Sequence, residues 1–415
     1  METSAGVLTY AELDAEADIV ARRLAALGVG AGDRVATTLP PGLDFAVLLH
    51  AAPRLGAALA PLNTRLPAAE QDRQARAAHA AAVLDAPLDN GFESEVELRT
   101  ELDPDAVHTV LFTSGTTGDP KPVELTVGNQ DAAAAASAAG VGSDPADRWL
   151  CVLPLFHIAG LAILVRSARA ATTAVLHESF DPERVLEALG DVTLVSLVAT
   201  QLSRLRDAGL DGPGGLRTML LGGGPVPPEL LEWAIQNGIP ARCTYGMTET
   251  CSQIVLTEPG ELAGEPLPGV EIEIAARGQI LVSGPLVAPR ALSSDGRLHT
   301  GDLGWFDRHG RLHVEGRLKD VIVTGGENVA PPAVEAVLCA HPSVAEAAVT
   351  GLPDPEWGEA VTAFVVERAP VSDYELLGFC RERLAGYQVP KKVIRVDALP
   401  RGAGGKLLRD RLRPG

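Results

Sequence analysis

Lysine is scarce in this sequence. The chain carries 35 Lys+Arg, of which only five are lysine, and arginine supplies the other basic side chains. The five are Lys121, Lys319, Lys391, Lys392 and Lys406. Three of them, Lys121, Lys319 and Lys406, lie in or beside glycine-rich stretches. Lysine carries its charge as a compact ammonium on a flexible stem, whereas arginine presents a planar fork. We therefore expect these three positions to need the compact charge.

Basic charge is also in deficit overall. The formal net charge of −19 disfavours nucleic acids and anionic membrane surfaces as partners, although it allows a nucleotide in a local basic pocket. Residues 1–6 have no apolar signal core, and no uncharged apolar run reaches about 18 residues. We therefore expect a cytoplasmic protein without membrane insertion.

Cysteine pairs are missing as well. The five cysteines are scattered along the chain, and no Cys-x-x-Cys pair occurs. Neither a zinc site nor a disulfide framework is indicated by such spacing. A reducing compartment fits this usage best.

What the chain does contain is a regular alternation of elements. Helical periodicity is predicted over residues 10–28, and from 149 to 245 strand and helix signals alternate, which is typical of α/β layers with buried parallel strands. From about residue 270 short β runs with turns follow, and beyond residue 320 an α+β pattern has helices at 331–340 and 372–384. We predict an α/β fold: a large N-terminal domain of layered α/β subdomains plus a β-rich subdomain, residues 1–317, and a small α+β domain, residues 318–415.

A glycine- and hydroxyl-rich loop at residues 109–121 carries the first chemical signal. An apolar run opens into Thr-Ser-Gly-Thr-Thr-Gly-Asp-Pro, and Lys121 ends the loop. Glycines let backbone N–H groups turn toward phosphate oxygens, and the hydroxyls and the ammonium add donors. No Gly-Lys-Ser/Thr closes the loop, so it is not a Walker loop. The alternative is a solvated hairpin loop built from turn residues.

Four further motifs are weak individually and occur in a fixed order. Tyr245-Gly-Met-Thr-Glu-Thr could stack on a base and hold Mg²⁺, or could simply end a strand. Thr300-Gly-Asp could bind ribose hydroxyls, or could be an ordinary turn. The remaining two are the segment 316–328, with glycines at 325 and 326, and the glycine arm 399–406, which ends in Lys406.

Taken together, the five motifs resemble the adenylate-forming superfamily of acyl- and aryl-CoA synthetases, luciferases and adenylation domains. The resemblance covers essentially the whole chain. It implies that residues 318–415 form a mobile lid over residues 1–317, and that a small carboxylate, ATP, Mg²⁺ and coenzyme A bind between the two. It also implies two half-reactions: the carboxylate first attacks the α-phosphate of ATP, and a thiol then displaces AMP from the acyl-adenylate.

The resemblance also implies roles for individual residues. The residues expected to bind the ATP phosphates are Thr113, Ser114, Gly115, Thr116, Thr117, Gly118 and Lys121. Those expected to line the adenine are Gly222, Gly223, Gly224 and Tyr245, and those expected to bind the ribose are Asp302 and Arg317. Thr248 is expected to contact a phosphate, and Glu249 to hold the metal. Lys319 is the expected hinge, and Gly325 and Gly326 are expected near the thiol of coenzyme A. Lys406 is the expected catalytic lysine, present in the site only during adenylation.

The segment around Phe156 bears on the choice of carboxylate. Amino-acid-activating relatives usually have an aspartate after this phenylalanine, but His157 stands here, which points to an acid without an amine. The segment most closely resembles the 2-succinylbenzoate–CoA ligases of menaquinone biosynthesis. A polar clamp for a second carboxylate could be formed by His157, Arg166, Thr200 and Gln201. For Arg166 the alternative is a surface cation at a helix end, and for His157 it is gating or packing against the acyl group, in addition to its candidate catalytic role.

Three other functions stay open at this point. One is another acyl- or aryl-CoA ligase that takes a monocarboxylate, and a second is a stand-alone adenylation enzyme that loads a carrier protein. The third, a non-catalytic homologue, is disfavoured because Lys406 and Glu249 are both present. Departures from the superfamily pattern include Pro122 in place of a glycine, and the lack of a hydroxyl residue before Lys406. Neither removes a charged group, so we expect an active enzyme.

Overall fold

The structure is a computed structural model that describes residues 1–88, 91–114, 120–402 and 407–413, apart from the side chain of Ser114. The chain divides into two compact units. The first unit consists of Met1–Gly223, Trp233–Ile272 and Val282–Leu298, and the second of Gly224–Glu232, Glu273–Leu281 and His299–Gly415. The domain boundary between residues 317 and 318 stays a prediction.

Strands and helices alternate through most of the first unit, and the second is richer in strands. The α-helices are α1 (Tyr10–Ala26), α2 (Leu43–Ala51), α3 (Ala68–Ala77), α4 (Val127–Val141), α5 (Ile158–Ala170), α6 (Pro182–Ala188), α7 (Ala199–Asp207), α8 (Pro228–Gln236), α9 (Pro331–Cys339) and α10 (Asp373–Arg381). The strands up to residue 257 are β1 (Glu2–Thr3), β2 (Gly6–Val7), β3 (Arg34–Thr37), β4 (Ala58–Pro61), β5 (Ala82–Leu84), β6 (Val107–Ser114), β7 (Pro120–Thr126), β8 (Arg148–Cys151), β9 (Thr173–Leu176), β10 (Leu194–Leu197), β11 (Thr218–Leu221), β12 (Ala241–Met247) and β13 (Ser252–Thr257). The later strands are β14 (Gly264–Pro266), β15 (Glu271–Ile274), β16 (Gln279–Ser283), β17 (Leu298–Phe306), β18 (Leu312–Arg317), β19 (Ile322–Thr324), β20 (Glu327–Val329), β21 (Val344–Asp354), β22 (Gly358–Glu367) and β23 (Lys392–Arg395). Within the described ranges, no helix has the length and apolar character needed to cross a membrane.

The first helix shows how the local sequence sets an element. The Thr9 hydroxyl accepts the Glu12 N–H and the Glu12 carboxylate accepts the Thr9 N–H, so a capping box begins α1. Leu13, Ala17, Ala21 and Leu24 are buried and recur at the three- to four-residue spacing of one helical face. The helix predicted over residues 10–28 therefore forms, with its end at Ala26.

A mostly parallel sheet is the framework of the first unit. Strands β9, β8, β10, β11 and β12 pair in that order and run parallel. Every residue of β10 and β11 is buried, as expected for parallel strands covered on both faces. Beyond β12 the sheet continues with antiparallel strands, since β13 pairs antiparallel with β12 and β14 pairs antiparallel with β13. The carboxyl ends of the parallel strands therefore meet along one edge, where open α/β sheets usually bind ligands.

A second sheet in the first unit carries a long hairpin. Its strand order is β5-β3-β4-β6-β7, and only β7 runs antiparallel to its neighbour. The register pairs Thr113 on β6 with Lys121 on β7. The glycine- and hydroxyl-rich loop of residues 113–121 is thus the closing segment of an antiparallel hairpin.

The second unit contains a five-stranded sheet with helices packed against it. Strand β22 pairs antiparallel with β21 and with β19, and parallel with β23, while β19 forms a hairpin with β20. Its core joins Val334 and Leu338 of α9 with Val349, Val361 and Leu376. The helices predicted at residues 331–340 and 372–384 both form, as α9 and α10, with ends shifted by up to three residues.

Candidate active site

The edge at the carboxyl ends of the parallel strands collects several predicted site residues. In the sheet register Cys151 aligns with Ser196, Leu197 with Leu221, and Leu221 with Cys243. The segments that follow these strands therefore start side by side. These segments carry His157, Thr200, Gln201, Gly222, Gly223, Thr248 and Glu249, and Tyr245 lies near the end of β12.

Glycines after β11 allow two backbone segments to approach closely. A Cβ at Gly222 would lie 2.5 Å from the Thr244 Oγ1, and Gly223 has a φ of +78°. The Gly222 N–H donates to the Leu197 carbonyl at 3.1 Å, which fixes the segment beside β10. The segment thus lies against Thr244, the residue before Tyr245, and its role in lining the adenine stays a prediction. Gly224 falls in the second unit.

The turn that carries Thr248 and Glu249 has a constrained backbone. A bulge interrupts the β12–β13 register between Tyr245 and Gly246, and residues Thr248–Thr250 form a 3₁₀ turn. Cys251 and Ser252 then have positive φ angles of 50° and 92°, which non-glycine residues rarely adopt. Such backbone strain is concentrated at functional sites and persists only where the surroundings enforce it.

Two residues that sequence reasoning missed hold this turn. The buried Thr250 hydroxyl accepts the Met247 N–H at 3.0 Å and donates to the Ser252 carbonyl at 2.9 Å. A Cβ at Gly246 would lie only 1.8 Å from the Ser252 carbonyl oxygen, so glycine alone fits there. No sequence pattern reveals the Gly246 contact, although the Thr-x-Thr repeat could have suggested a self-capped turn.

Glu249 suits a metal ion that is already bound to phosphates. Its side chain is half-buried, and the described part of the chain offers its carboxylate no hydrogen-bond or ion-pair partner. Its carbonyl accepts the Ala288 N–H at 2.8 Å. Among the described residues no group of three or more His, Cys, Asp or Glu side chains could hold a metal alone. Mg²⁺ typically uses one or two carboxylates plus phosphate oxygens, so a single carboxylate at this place fits Mg–ATP.

The hairpin and the metal turn are structurally linked. Strand β7 packs against the Thr248–Thr250 turn. Asn129, in the first turn of α4, donates to the carbonyls of Pro285 and Val287 at 2.7 and 3.1 Å. The next residue, Ala288, binds the Glu249 carbonyl. Asn129 therefore supports the backbone of Glu249 through one loop, a role that sequence reasoning missed.

Only part of the predicted phosphate loop is described. Thr113 is half-buried at the end of β6, and Lys121 is exposed on the opposite strand. The side chain of Ser114 and the predicted residues Gly115, Thr116, Thr117 and Gly118 lie outside the described residues. Their phosphate contacts, like those of Thr113 and Lys121, stay predictions.

His157 precedes α5 and is held at the sheet edge by a tight turn. A Cβ at Gly160 would lie 2.5 Å from the Pro154 carbonyl oxygen, so a glycine is required there. The imidazole packs edge-on against Phe156, with ring centroids 4.7 Å apart. Burial, assisted by the charge of Arg65, lowers the pKa of His157 to about 4. His157 is therefore neutral near pH 7 and can accept or donate a hydrogen bond without adding charge.

Arg166 lies in the interior, so the alternative interpretation as a surface cation is wrong. Only 5% of the residue is exposed, and burial lowers the pKa of Arg166 to about 10. Its Nη1 contacts the Gln253 Oε1 at 3.4 Å, while Nε and Nη2 have no partner among the described residues. The guanidinium borders a small cavity of about 10 Å³ along α5, enough for about one water molecule. Its lining residues are Gln130, Ala133, Ala134, Ile158, Leu161, Ala162, Val165, Arg166 and Cys251.

The other two members of the predicted polar clamp lie at the start of α7. The Gln201 Oε1 accepts the Val198 N–H at 3.0 Å and so caps this helix. The oxygen of the Gln201 amide is therefore already hydrogen-bonded. Thr200 is exposed. The structure thus places Arg166 in the α5 cavity and Thr200 and Gln201 beside the glycine segment, and the roles of all three remain predictions.

In the second unit the two predicted ribose residues contact each other. Asp302 on β17 and Arg317 on β18 are register partners, and the Arg317 Nε lies 2.6 Å from the Asp302 Oδ1. The Thr300 hydroxyl accepts the Asp302 N–H at 3.0 Å. Asp302 is buried, so Arg317 both neutralises and orients its carboxylate.

The predicted hinge and thiol-loop residues are on turns of the same unit. Lys319 is exposed in the 3₁₀ turn Leu318–Asp320. Gly325 and Gly326 have φ angles of +58° and +86° and form the two-residue turn of the β19–β20 hairpin, where positive φ is required at both positions. The Gly325 N–H donates to the Trp357 carbonyl at 2.8 Å. Lys406 lies outside the described residues.

Family models and similar proteins match most of this chain. A family model described as AMP-binding enzyme matches residues 3–290, and one described as AMP-binding enzyme C-terminal domain matches residues 333–406. A 2-succinylbenzoate–CoA ligase of Bacillus subtilis is 39% identical over 453 residues, which cover 98% of this chain and 93% of that protein. A ligase of the same name from Bacillus licheniformis is 40% identical, with coverage of 98% and 94%.

Solved structures similar to this chain include an enzyme of the same kind. An o-succinylbenzoate CoA synthetase from Bacillus subtilis, in complex with the acyl-adenylate intermediate OSB-AMP, superposes with a TM-score of 0.93 at 38% identity. The match covers 100% of this chain and 94% of that one. A structure of the Bacillus subtilis synthetase with ATP and magnesium ion gives a TM-score of 0.91 at 38% identity, with coverage of 99% and 95%.

Proposed function

The chain belongs to the AMP-binding enzyme family, and from this membership we propose that it joins 2-succinylbenzoate to coenzyme A with ATP. The products are 2-succinylbenzoyl-CoA, AMP and pyrophosphate. The reaction runs in two half-reactions through an acyl-adenylate, as in the relative whose complex contains OSB-AMP. The small-molecule partners are therefore a dicarboxylate, ATP with Mg²⁺, and coenzyme A.

In the first half-reaction negative charge accumulates at the α-phosphate while a carboxylate oxygen attacks it. Positioned cations and N–H dipoles stabilise such a transition state. We propose that the β6–β7 hairpin, with Thr113 and Lys121, binds the ATP phosphates. Lys406 would supply a second positive charge in addition to Lys121. Bound Mg²⁺ would neutralise phosphate charge, and Glu249, which has no other partner among the described residues, would hold it there.

The observation that carries the choice of substrate is the unpaired Arg166 guanidinium. A buried charge without a counter-ion is costly, because its desolvation is uncompensated. A substrate with a second carboxylate would supply the missing counter-ion and satisfy the free N–H groups of Arg166. A monocarboxylate would leave the guanidinium unpaired, which disfavours the alternative of a general acyl-CoA ligase.

The α5 cavity involves one of the two clamp residues His157 and Arg166. His157 precedes the helix and Arg166 follows nine residues later, which separates them by about 13.5 Å along the axis and about half a turn around it, so they do not share one helical face. Of the two, Arg166 borders the cavity. Arg166 would therefore hold the ring carboxylate, and the contact of His157 with the succinyl end stays a prediction.

A carboxylate panel tests the proposed function. Pyrophosphate release would be measured with 2-succinylbenzoate, benzoate, a medium-chain fatty acid and 3-benzoylpropanoate, each with and without coenzyme A. We expect turnover with 2-succinylbenzoate to exceed the others, and the thioester to form only when coenzyme A is present. Fast turnover of benzoate or the fatty acid with none of 2-succinylbenzoate would overturn the proposal. Efficient transfer to a carrier protein and none to coenzyme A would favour the carrier-loading alternative.

Replacing Arg166 should remove the preference for a second carboxylate. A hydrogen bond to a charged group contributes about 1.5–3 kcal/mol, so Arg166→Met should lower kcat/KM for 2-succinylbenzoate about 10- to 150-fold. Activity with 3-benzoylpropanoate, which lacks the ring carboxylate, should change little. The thermal midpoint should hold or rise, because a buried unpaired charge is removed.

Arg169→Met provides the matched control for that substitution. Arg169 lies on the same helix, is about half exposed and pairs with Asp131, outside the cavity. It should leave both substrates unaffected. An equal loss with 2-succinylbenzoate and 3-benzoylpropanoate in Arg166→Met would show that Arg166 does not read the second carboxylate.

A further inference from the structure

Arg409 joins three separate segments of the second unit. Its Nη1 and Nη2 both bind the Glu335 carboxylate of α9, the latter at 2.8 Å, and Nη1 also donates to the Val349 carbonyl at 2.8 Å. Its Nε faces the Asp320 Oδ2 at 3.4 Å. Glu335 also accepts the Val349 N–H at 2.7 Å. This group of four residues, Arg409, Glu335, Asp320 and Val349, is called the Arg409 clamp below.

The clamp is shielded enough to matter energetically. The exposed fractions of the Arg409, Glu335 and Asp320 side chains are 18%, 14% and 22%. Exposed ion pairs contribute little, whereas charge-assisted, bidentate pairs away from bulk water are stronger and fix geometry. The arginine therefore holds its three partners in one arrangement.

The Arg409 clamp lies close in sequence to two residues with predicted roles in the reaction. Arg409 is three residues beyond the predicted catalytic Lys406, and Asp320 directly follows the predicted hinge Lys319. The chain around the lysine is also pinned nearby: Arg401 and Leu407 form a β-bridge, and the Leu408 N–H donates to the Pro400 carbonyl at 2.9 Å. Leu407 packs against the cluster that contains Phe364 and Leu412.

We propose that Arg409 is a positioning residue that fastens the base of the Lys406 segment to the chain immediately after the hinge. Because Asp320 is fixed to α9 and β21 through Arg409, conformational freedom at the hinge ends at Lys319. Because Leu407 and Arg409 are held by these contacts, the chain immediately after residue 406 has a fixed start. The inference rests on the proposed function, since it concerns the adenylation step assigned to Lys406.

The test separates the two half-reactions. Adenylation would be followed as pyrophosphate release from 2-succinylbenzoate and ATP, and thioester formation would be followed from supplied 2-succinylbenzoyl-adenylate and coenzyme A. A displacement of about 1 Å at a reacting group can cost about 100-fold, so Arg409→Lys should slow adenylation about 10- to 100-fold. Thioester formation, which does not use Lys406, should stay within about threefold of wild type. Asp320→Asn removes only the ion pair between Asp320 and Arg409, and it should slow adenylation about fivefold.

Arg411→Lys is the matched control, because Arg411 is exposed and has no partner within the described residues of the second unit. It should leave both half-reactions unchanged. Equal losses in both half-reactions for Arg409→Lys and Asp320→Asn would overturn the proposal in favour of a purely structural role. So would full adenylation activity in both variants.

The variants also distinguish a folding defect and a wrong substrate from failure of the positioning role. If Arg409→Lys folds poorly, Asp320→Asn decides alone, because it keeps the Arg409–Glu335 pair and should not change the thermal midpoint. If wild type fails to activate 2-succinylbenzoate, the proposed substrate is wrong, and the same ratio of half-reactions is measured with the best acid of the panel. The positioning role is then judged by that ratio only.

Discussion

Lys406→Ala should lose the first half-reaction and keep the second. Removing one preorganised donor at a developing charge costs about 2.7–4 kcal/mol, or about 100- to 1,000-fold in rate. The sequence places Lys406 at the end of a glycine arm, where it could reach the carboxylate and the α-phosphate together. Pyrophosphate release should therefore fall by that factor, whereas thioester formation from supplied acyl-adenylate should remain within about threefold of wild type.

Lys392→Ala serves as the control for this experiment. Lys392 is another of the five lysines and is mostly exposed, and its ammonium lies 4.0 Å from Asp354, which is the outer limit of an ion pair. Its replacement should leave both half-reactions intact. A comparable loss of both half-reactions in Lys406→Ala would count against separate conformations for the two steps.

Gly246→Ala should abolish most adenylation activity, because the added methyl group displaces the backbone between β12 and β13. The added Cβ would lie 1.8 Å from the Ser252 carbonyl oxygen, so the β12–β13 connection has to shift by more than 1 Å. That shift displaces Thr248 and Glu249, and a 1 Å misplacement can cost about 100-fold in rate. Overpacking of this kind also lowers the free energy of unfolding by about 1–3 kcal/mol. We therefore expect adenylation to fall about 100-fold or more, with a lowered thermal midpoint.

Gly212→Ala separates this effect from a general intolerance of alanine. Gly212 has no positive φ, and within the described structure a Cβ there meets no atom within 4 Å. Activity and unfolding should match wild type. Wild-type adenylation in Gly246→Ala would mean that the turn relaxes without moving Glu249, and the proposed metal geometry would need revision.

Local patterns in the sequence carry much of the fold. The superfamily resemblance and the α/β fold class are confirmed by the family models and the superposed structures. Helix α1 forms over Tyr10–Ala26, within the predicted residues 10–28, because its buried apolar residues recur at helical spacing. Strands such as β10 and β11 are short apolar runs whose burial on both faces follows from their composition.

Tertiary contacts account for what the sequence could not predict. In an apolar helix periodicity does not reveal which side meets a cavity, so the burial of Arg166 became evident only from the structure. The need for glycine at 246 comes from a carbonyl six residues away, across a bulge. The contact between Arg409 and Glu335 joins residues 74 positions apart, a separation that no local pattern encodes. The individual site roles stay predictions until the variants are measured.

Helix α5 also has a consequence for how acid length is selected. Residues Ile158, Leu161, Ala162 and Val165 line the cavity at the repeat of one helical face, with the arginine at its far end. Each helical turn advances about 5.4 Å, so moving the cation by one turn changes the distance between the two charged ends by that step. If Arg166 holds the second carboxylate as proposed, we therefore expect the position of the arginine along α5 to set the length of diacid that the enzyme accepts.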